Sequence, residues 1–102
     1  MESVSGPEFE CDTSGMYIAY FGAKWCGPCK ILKPKIEKLA VSLAKSGIKV
    51  YDIDIDTVTS HGFDISYVPS VFVVSNGVSE LIPSGPGILL AILKAIERIE
   101  CV

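Results

Sequence analysis

Four stretches of the chain carry apolar residues in patterns of strand length. Residues 16–21, MYIAYF, form a continuous apolar and aromatic run, which is typical of a strand covered on both faces. Residues 48–56, IKVYDIDID, alternate apolar and acidic positions and predict a second strand with one wetter edge or end. Residues 70–74 and 78–82 flank an Asn-Gly pair at 76–77, the strongest short signal for a β-hairpin.

Two further stretches repeat their apolar residues with helical spacing. One begins at Cys29 and is predicted to end near Gly47, with lysines filling many of the positions between its apolar residues Leu32, Ile36, Leu39 and Leu43. The other follows the Pro-Ser-Gly-Pro-Gly break at 83–87 and carries the apolar stripe Leu89, Ile92, Leu93 and Ile96. Residues 57–66 suggest a short irregular helix, interrupted by Gly62.

The order of these elements predicts the fold class. Strand, helix and strand within about 40 residues form a βαβ unit, whose strands must be parallel. With the hairpin and the last helix, this gives an α/β fold with a mixed four-stranded sheet and helices on both faces. Turn signals leave only a short segment within residues 1–15, which is the poorly defined N-terminal part of a single domain spanning 1–102.

Composition restricts the classes of function. The chain has 102 residues, of which 49% are hydrophobic and 21% charged, as in an ordinary globular domain with one core. Its net charge of −3 argues against nucleic acid as a partner, because phosphate binding needs a positive field. No run approaches the roughly 20 apolar residues of a membrane span, and the start lacks the basic and apolar regions of a secretory signal. We therefore expect no membrane partner and a cytoplasmic or comparable reducing location.

The four cysteines are too few and too unevenly spread for a secreted disulfide framework. In a reducing compartment, the close pair Cys26 and Cys29 indicates redox chemistry or half of a metal site. Together with Cys11 and Cys101 it would satisfy the ligand number of zinc, but the Gly-Pro between the pair and a helix that begins inside it favour thiol-disulfide exchange. We predict no metal and interpret Cys11 and Cys101 as ordinary thiols near the termini, with regulatory oxidation or an intermolecular disulfide as the alternative.

The segment Trp25-Cys-Gly-Pro-Cys29 has the residues that such exchange requires. Cys26 falls where strand becomes helix, and at such positions free N–H groups and the helix dipole lower the thiol pKa from about 8.5 to roughly 3.5–7.5. Cys29, one helical turn later, can bond to Cys26 and resolve a mixed disulfide. Pro28 stiffens the first helical turn, and Gly27 leaves room for a partner's disulfide. The prediction is a catalytic pair, Cys26 and Cys29, with Trp25, Gly27 and Pro28 contacting the substrate.

The sequence Trp-Cys-Gly-Pro-Cys-Lys on a βαβ unit resembles the thioredoxin family over roughly residues 16–100. Pro34 matches the family's helix-kinking proline, and Pro69 matches its cis-proline, which lies opposite the dithiol. Val68 would then offer backbone hydrogen bonds to a substrate chain. The resemblance implies a thioredoxin fold and a protein disulfide oxidoreductase that needs no cofactor beyond a redox-active Cys26–Cys29 disulfide. It also implies proteins with disulfides as substrates and a thioredoxin reductase as electron donor.

Two features depart from the family. Tyr20 stands six residues before Cys26, where the family usually carries a buried aspartate that relays a proton to and from the second thiol. The lysine commonly paired with that aspartate corresponds to Val50. Asp52, on the same strand face, would be a substitute, so Tyr20 and Asp52 are the candidates for a proton relay; the alternatives are a solvated Asp52 and a relay by water. Only 15 residues precede the first predicted strand, so we expect a shortened N-terminal βα element or a coil in its place.

Two other functions stay open from the sequence. A glutaredoxin-like protein recycled by glutathione fits the short N-terminus but not the Gly-Pro pair. A redox-sensing binding module would use the surface around Trp25 and Pro69 to hold a partner without turnover. We interpret His61 as a surface or helix-end histidine and the lysines between 30 and 38 as a solvated helix face.

Overall fold

The computed structural model describes residues 1–4, 6–9 and 15–100. These residues form one sheet and two helices, in the order β1 (Glu2–Ser3), β2 (Met16–Gly22), α1 (Gly27–Ala44), β3 (Lys49–Asp54), β4 (Ser70–Ser75), β5 (Val78–Ile82) and α2 (Ile88–Glu100). No helix among them is long and apolar enough to cross a bilayer.

The sheet is mixed, with the strand order β1-β3-β2-β4-β5. β1 and β2 each pair parallel with β3, and β4 pairs antiparallel with both β2 and β5. The βαβ unit and the hairpin are therefore confirmed. In the hairpin, Asn76 and Gly77 have φ angles of 52° and 79°, and a tight turn of this kind needs both residues in the left-handed region.

The predicted number of strands is wrong. Residues Glu2–Ser3 add a fifth strand, paired in parallel with Tyr51 and Asp52 at the edge of β3. A two-residue strand has too few positions to show an alternating pattern, so it cannot be recognised from the sequence. The N-terminal segment therefore keeps a short strand, and Cys11 lies outside the residues that the structure describes.

The predicted short helix at 57–66 is also wrong, since none of these residues is helical. The N–H of Phe63 donates to Nδ1 of His61 at 3.1 Å, a local bond that replaces a helical one. Gly62 between them has a φ of 76°, outside the helical region. The ring of His61 packs against Phe21, with a centroid distance of 5.0 Å, so this histidine is half-buried rather than on the surface or at a helix end.

Both helices pack on the same face of the sheet, so the prediction of helices on both faces is wrong for the described chain. Apolar residues of α1 and α2 share one core with the sheet, among them Ile36, Leu43, Ile88, Ile92 and Ile96. On the opposite face, the apolar residues of the strands are covered by the irregular β3–β4 connection and by Phe9. Aromatic rings fill much of that space, as in the pair Phe9–Tyr51 with centroids 5.5 Å apart.

The functional region is placed by the parallel pair β2 and β3. The carboxyl ends of parallel strands meet at one edge of a sheet, and residues that follow them converge there. β2 leads into the segment that contains Cys26, and β3 ends at Asp54 on the same edge. Pro34 lies inside α1, as predicted.

Candidate active site

Cys26 is the N-cap residue of α1. Its backbone is extended, with φ −84° and ψ 113°, and its Sγ accepts the N–H of Cys29 at 3.2 Å. Gly27 and Pro28 form the start of the helix, where proline costs nothing because its missing N–H would have no helical partner. The unpaired N–H groups and the dipole of the first turn favour negative charge on this sulfur.

A disulfide joins Cys26 and Cys29, whose Cα atoms are 5.3 Å apart. Both residues are buried, whereas Gly27 and Pro28 between them are exposed. The chain therefore holds the two sulfurs within bonding distance and leaves the surface beside them open to a partner.

The outer side of the pair is a surface formed by the other residues predicted to bind substrate. The carbonyl oxygen of Val68 lies 3.7 Å from Sγ of Cys26, and the peptide bond from Val68 to Pro69 is cis. Trp25 is 66% exposed, and its Nε1 donates to Oδ2 of Asp56 at 2.8 Å. The structure thus places the Val68–Pro69 segment beside Cys26, which follows Trp25 in the chain. That these residues bind substrate stays a prediction.

The inner side of the pair opens on a cleft of about 540 Å³ whose wall includes Cys29. Lys33 and Asp52 form an ion pair in this wall, with Nζ of Lys33 3.1 Å from Oδ2 of Asp52. The hydroxyl of Tyr20 donates to the carbonyl oxygen of Cys29 at 3.4 Å. A Cβ atom on Gly22 would lie 3.0 Å from that hydroxyl, so the glycine leaves the space that the phenol occupies.

Two groups of the cleft have shifted pKa values. Burial, with a smaller contribution from the negative charge of Asp52, raises the pKa of Tyr20 to about 12. The hydrogen bond and charge of Asp52 raise the pKa of Lys33 above its usual value. At neutral pH the phenol of Tyr20 and the ammonium group of Lys33 therefore both keep their protons.

The structure places both candidates for a proton relay, Tyr20 and Asp52, in the same cleft as Cys29. Their role stays a prediction. The side chain of Asp52 is only 17% exposed and is paired with Lys33, so it is not a freely solvated carboxylate at a strand end. Val50 is buried in the core beneath the helices.

Sequence reasoning missed two residues of this region, Lys33 and Asp56. The lysine-rich pattern between residues 30 and 38 predicts a solvated helix face for Lys33, yet Lys33 follows Cys29 by four residues, a spacing that places both on one side of a helix. Asp56 comes just after β3, at the sheet edge where the segment with Trp25 also lies. Both spacings were visible in the sequence, but only the tertiary contacts show that the residues pair.

Within residues 1–4, 6–9 and 15–100, no group of three or more His, Cys, Asp or Glu side chains is arranged to hold a metal ion. The alternative of a zinc site would also need Cys11 and Cys101, and both lie outside the described residues. The absence of a metal and of a cofactor therefore stays a prediction.

Comparison with known proteins agrees with this fold and site. The sequence model of the thioredoxin family matches residues 7–97. The chain is 37% identical to mitochondrial thioredoxin of Mus musculus over 76 residues, which cover 71% of this chain and 46% of the relative. It is 38% identical to thioredoxin of Chlamydia muridarum over 64 residues, 63% of each chain. A crystal structure of chloroplastic thioredoxin z superimposes with a TM-score of 0.76 at 24% identity and covers 99% of this chain and 95% of that one.

The chain belongs to the thioredoxin family, and its architecture is the α/β thioredoxin fold with a mixed five-stranded sheet. It spans about half the length of the mouse relative and less than two thirds of the chlamydial one. In chemical terms, the site holds a dithiol that can close to a disulfide. One sulfur lies beside an open surface, and the other lies beside a cleft with ionised side chains.

Proposed function

We propose that the protein is a disulfide oxidoreductase that reduces disulfides in other proteins through Cys26 and Cys29. The observation that supports this most directly is the closed Cys26–Cys29 disulfide at the N-terminus of α1, with Cys26 as the N-cap. A helix N-terminus favours the thiolate, which is the form that attacks disulfides. Membership of the thioredoxin family supports the same activity.

The reaction follows from the two environments of the pair. The Cys26 thiolate attacks one sulfur of the partner's disulfide, forms a mixed disulfide and releases the other sulfur as a thiolate that takes up a proton. Cys29 then loses its proton and attacks Sγ of Cys26. The second substrate thiol leaves and takes up a proton. The two electrons that the Cys26–Cys29 dithiol loses when it closes to a disulfide are now held by the two substrate thiols.

The partner's chain would bind on the outer surface. The carbonyl of Val68 lies beside Cys26 and would accept a backbone N–H from an extended substrate segment. Trp25 would be covered by that segment, because its ring is exposed while its Nε1 is held by Asp56. Gly27 and Pro28, exposed beside the sulfurs, would let the partner approach closely.

Re-reduction of the disulfide requires an electron donor, and we propose a thioredoxin reductase, as is typical of the family. We also propose that the protein contributes to redox homeostasis in a reducing compartment such as the cytoplasm, where a dithiol of this kind would be kept reduced. Proteins that carry accessible disulfides would be the electron acceptors.

A turnover assay tests the proposal. The full chain is mixed with dithiothreitol and a peptide that carries one intramolecular disulfide, and peptide reduction is compared with that by the double variant Cys26→Ser, Cys29→Ser. We expect catalysis by the wild-type chain and a reversible redox titration of the pair near the roughly −270 mV of thioredoxin. Reduction no faster than with the double variant, or failure of the pair to form a disulfide at any potential, would contradict the proposal.

The same material separates the alternatives. Re-reduction that is faster with NADPH and thioredoxin reductase than with glutathione supports the proposed electron donor. The reverse order would favour a glutathione-coupled, glutaredoxin-like protein. Binding of a protein partner that persists in the double variant, without turnover by the wild type, would favour a binding module.

A further inference from the structure

The second step of the proposed reaction requires an acceptor for a proton. Cys29 can displace the substrate only as a thiolate, because the thiol is a poor nucleophile. Cys29 is 4% exposed, so bulk water has little direct access to it. The acceptor must therefore be reached through the cleft whose wall contains Cys29.

The groups around this cleft can be compared one by one. The titratable and charged side chains that line it or act on it are Lys24, Lys30, Lys33 and Glu37 from α1 and the segment before it, Tyr20 from β2, and Asp52 and Asp54 from β3. A lysine ammonium group is a hydrogen-bond donor only and has no lone pair with which to accept a proton. Tyr20 keeps its own proton, since its pKa is raised to about 12.

The carboxylates differ in their surroundings. Asp54 accepts the backbone N–H of Asp56 through Oδ1 at 2.9 Å and so stabilises the turn after β3. The charge of Glu37 contributes to the raised pKa values of Tyr20 and Lys33, but Glu37 is not part of the cleft wall. Asp52 is in the wall, next to Tyr20 in the strand register, and its Oδ2 is held by Lys33.

Lys33 links this carboxylate to the cysteine. Lys33 lies four residues after Cys29 on α1, a spacing that places the two side chains on one side of the helix. From there its ammonium group reaches across to β3 and contacts Asp52 at 3.1 Å. The ion pair thus holds a carboxylate at the wall of the same cleft that Cys29 lines.

We propose that Asp52, positioned by Lys33, accepts the proton of the Cys29 thiol through water in the cleft when the mixed disulfide is resolved. This inference rests on the proposed function. The proton leaves Sγ of Cys29 for water, which passes a proton to Asp52. The thiolate forms the Cys26–Cys29 bond as the bond to the substrate sulfur breaks. The departing thiolate takes up one proton, from Asp52 or from solvent, which restores the carboxylate.

The test measures the two steps separately. In the Cys29→Ser background the rate of mixed-disulfide formation with the disulfide peptide reports the first step. In the chain with both cysteines, quenched-flow mass spectrometry follows closure of the Cys26–Cys29 disulfide between about pH 3.5 and 9.5, a range that includes the usual pKa values of aspartate and cysteine side chains. Loss of a general base typically costs about 10² to 10⁴ in rate, and since solvent can partly replace Asp52, we expect closure in Asp52→Asn to slow by about tenfold or more near neutral pH. Its rate should also rise more steeply with pH, while the first step stays unchanged.

Rescue experiments separate a proton acceptor from a residue that only maintains the structure. Added imidazole or formate should accelerate closure in Asp52→Asn in proportion to concentration, and Asp52→Glu should recover much of the rate. Lys33→Met should slow closure less than Asp52→Asn, because the carboxylate remains but is no longer held. Asp64→Asn, which removes a carboxylate outside the cleft wall, is the matched control and should behave as wild type.

Four results would overturn the inference. They are closure in Asp52→Asn at the wild-type rate and pH dependence, a larger loss in Asp54→Asn than in Asp52→Asn, absence of rescue by either small base, and equal slowing of both steps. None of these coincides with failure of the proposed function, which would show instead as the absence of any mixed disulfide in the Cys29→Ser background.

Discussion

The two cysteines of the pair are equally buried but lie in different surroundings. Cys26 is at the start of α1, beside the carbonyl of Val68 and an open surface. Cys29 lies in the first turn, where the hydroxyl of Tyr20 contacts its carbonyl and a charged cleft opens beside it. One helical turn thus separates two environments. Under the proposed function the first sulfur would react with the partner, and the second would lie beside groups that can accept a proton.

The largest expected effect comes from removing either sulfur. Cys26→Ser should abolish catalysed reduction of the disulfide peptide with dithiothreitol, because it lacks the nucleophile. Cys29→Ser should lose nearly all of it, because only slow attack by dithiothreitol can then release the product from the mixed disulfide. Cys101→Ser, a matched change outside the pair, should retain turnover. Retention of full activity by either active-site variant would show that one thiol suffices, and it would contradict the division of tasks between Cys26 and Cys29.

The inner side of the pair should be sensitive to alkali through Tyr20. Its pKa is about 12 in the folded chain, above the usual value of 10.0. Between these values the folded state holds a proton that the unfolded state has lost, so stability is full below about pH 10 and falls as pH rises toward 12. A difference of this size corresponds to roughly 3 kcal/mol in the free energy of unfolding. Lys33, whose pKa is also raised by the hydrogen bond and charge of Asp52, loses its contribution as the pH rises above the usual pKa of lysine.

Tyr20→Phe checks this expectation, because it keeps the ring and removes the group that titrates. The free energy of unfolding, measured with urea at about pH 8 and again at about pH 11, should fall less in the variant than in wild type. At the lower pH the variant should lose only about 1 kcal/mol, for the hydrogen bond to Cys29. An equal alkaline fall in both proteins would contradict the assignment to Tyr20.

On the outer side, Trp25 should matter for binding rather than for the chemistry. Truncating an exposed aromatic residue at a contact surface typically costs about 1 to 2 kcal/mol, so Trp25→Ala should raise KM for a protein disulfide about fivefold to thirtyfold. The rate with a small disulfide should change little. Val41→Ala is the matched control, since Val41 is similarly exposed on α1 but lies three turns beyond Cys29. If the variant lost as much activity with the small disulfide, Trp25 would affect the reactivity of the two sulfurs rather than the binding of the substrate.

The smallest effect should come from a second ion pair, between Arg98 and Glu80 on α2 and β5. Both side chains are well exposed, and such pairs contribute about 0 to 1 kcal/mol. Arg98→Met should therefore shift stability by less than about 1 kcal/mol, with turnover unchanged. Lys33→Met, which breaks the pair beside Cys29, should have an equally small effect on stability but slow disulfide closure. Similar closure rates in Arg98→Met and Lys33→Met would mean that closure of the disulfide does not depend on the ion pair between Lys33 and Asp52.

The elements that local patterns specify could be predicted, and those that depend on distant contacts could not. The run at 16–21, the helical spacing after Cys29 and the Asn-Gly turn each encode their structure within a few residues, and each was confirmed. Strand β1 was missed because two residues carry no periodicity. The helix predicted at 57–66 does not form: Gly62 has a φ of 76°, and the N–H of Phe63 donates to the ring of His61.

The candidate site shows the same division. The Cys-Gly-Pro-Cys segment identifies its chemistry in the sequence, since helix start and thiol pair coincide there. In the sequence Lys33 cannot be distinguished from any solvated lysine, because its role depends on the ion pair with Asp52 on β3. Likewise, the role of Asp56 depends on Trp25, 31 residues away in the chain. Contacts of this kind require the tertiary structure.

The most direct test of the account is to identify which sulfur the substrate joins. Reduced Cys29→Ser and Cys26→Ser are each mixed with the disulfide peptide, quenched with acid, and mapped by mass spectrometry. The account predicts rapid formation of a peptide adduct on Cys26 in the first variant and little or no adduct on Cys29 in the second. Adducts that form on Cys29 as fast as on Cys26 would contradict the division of tasks between the two cysteines.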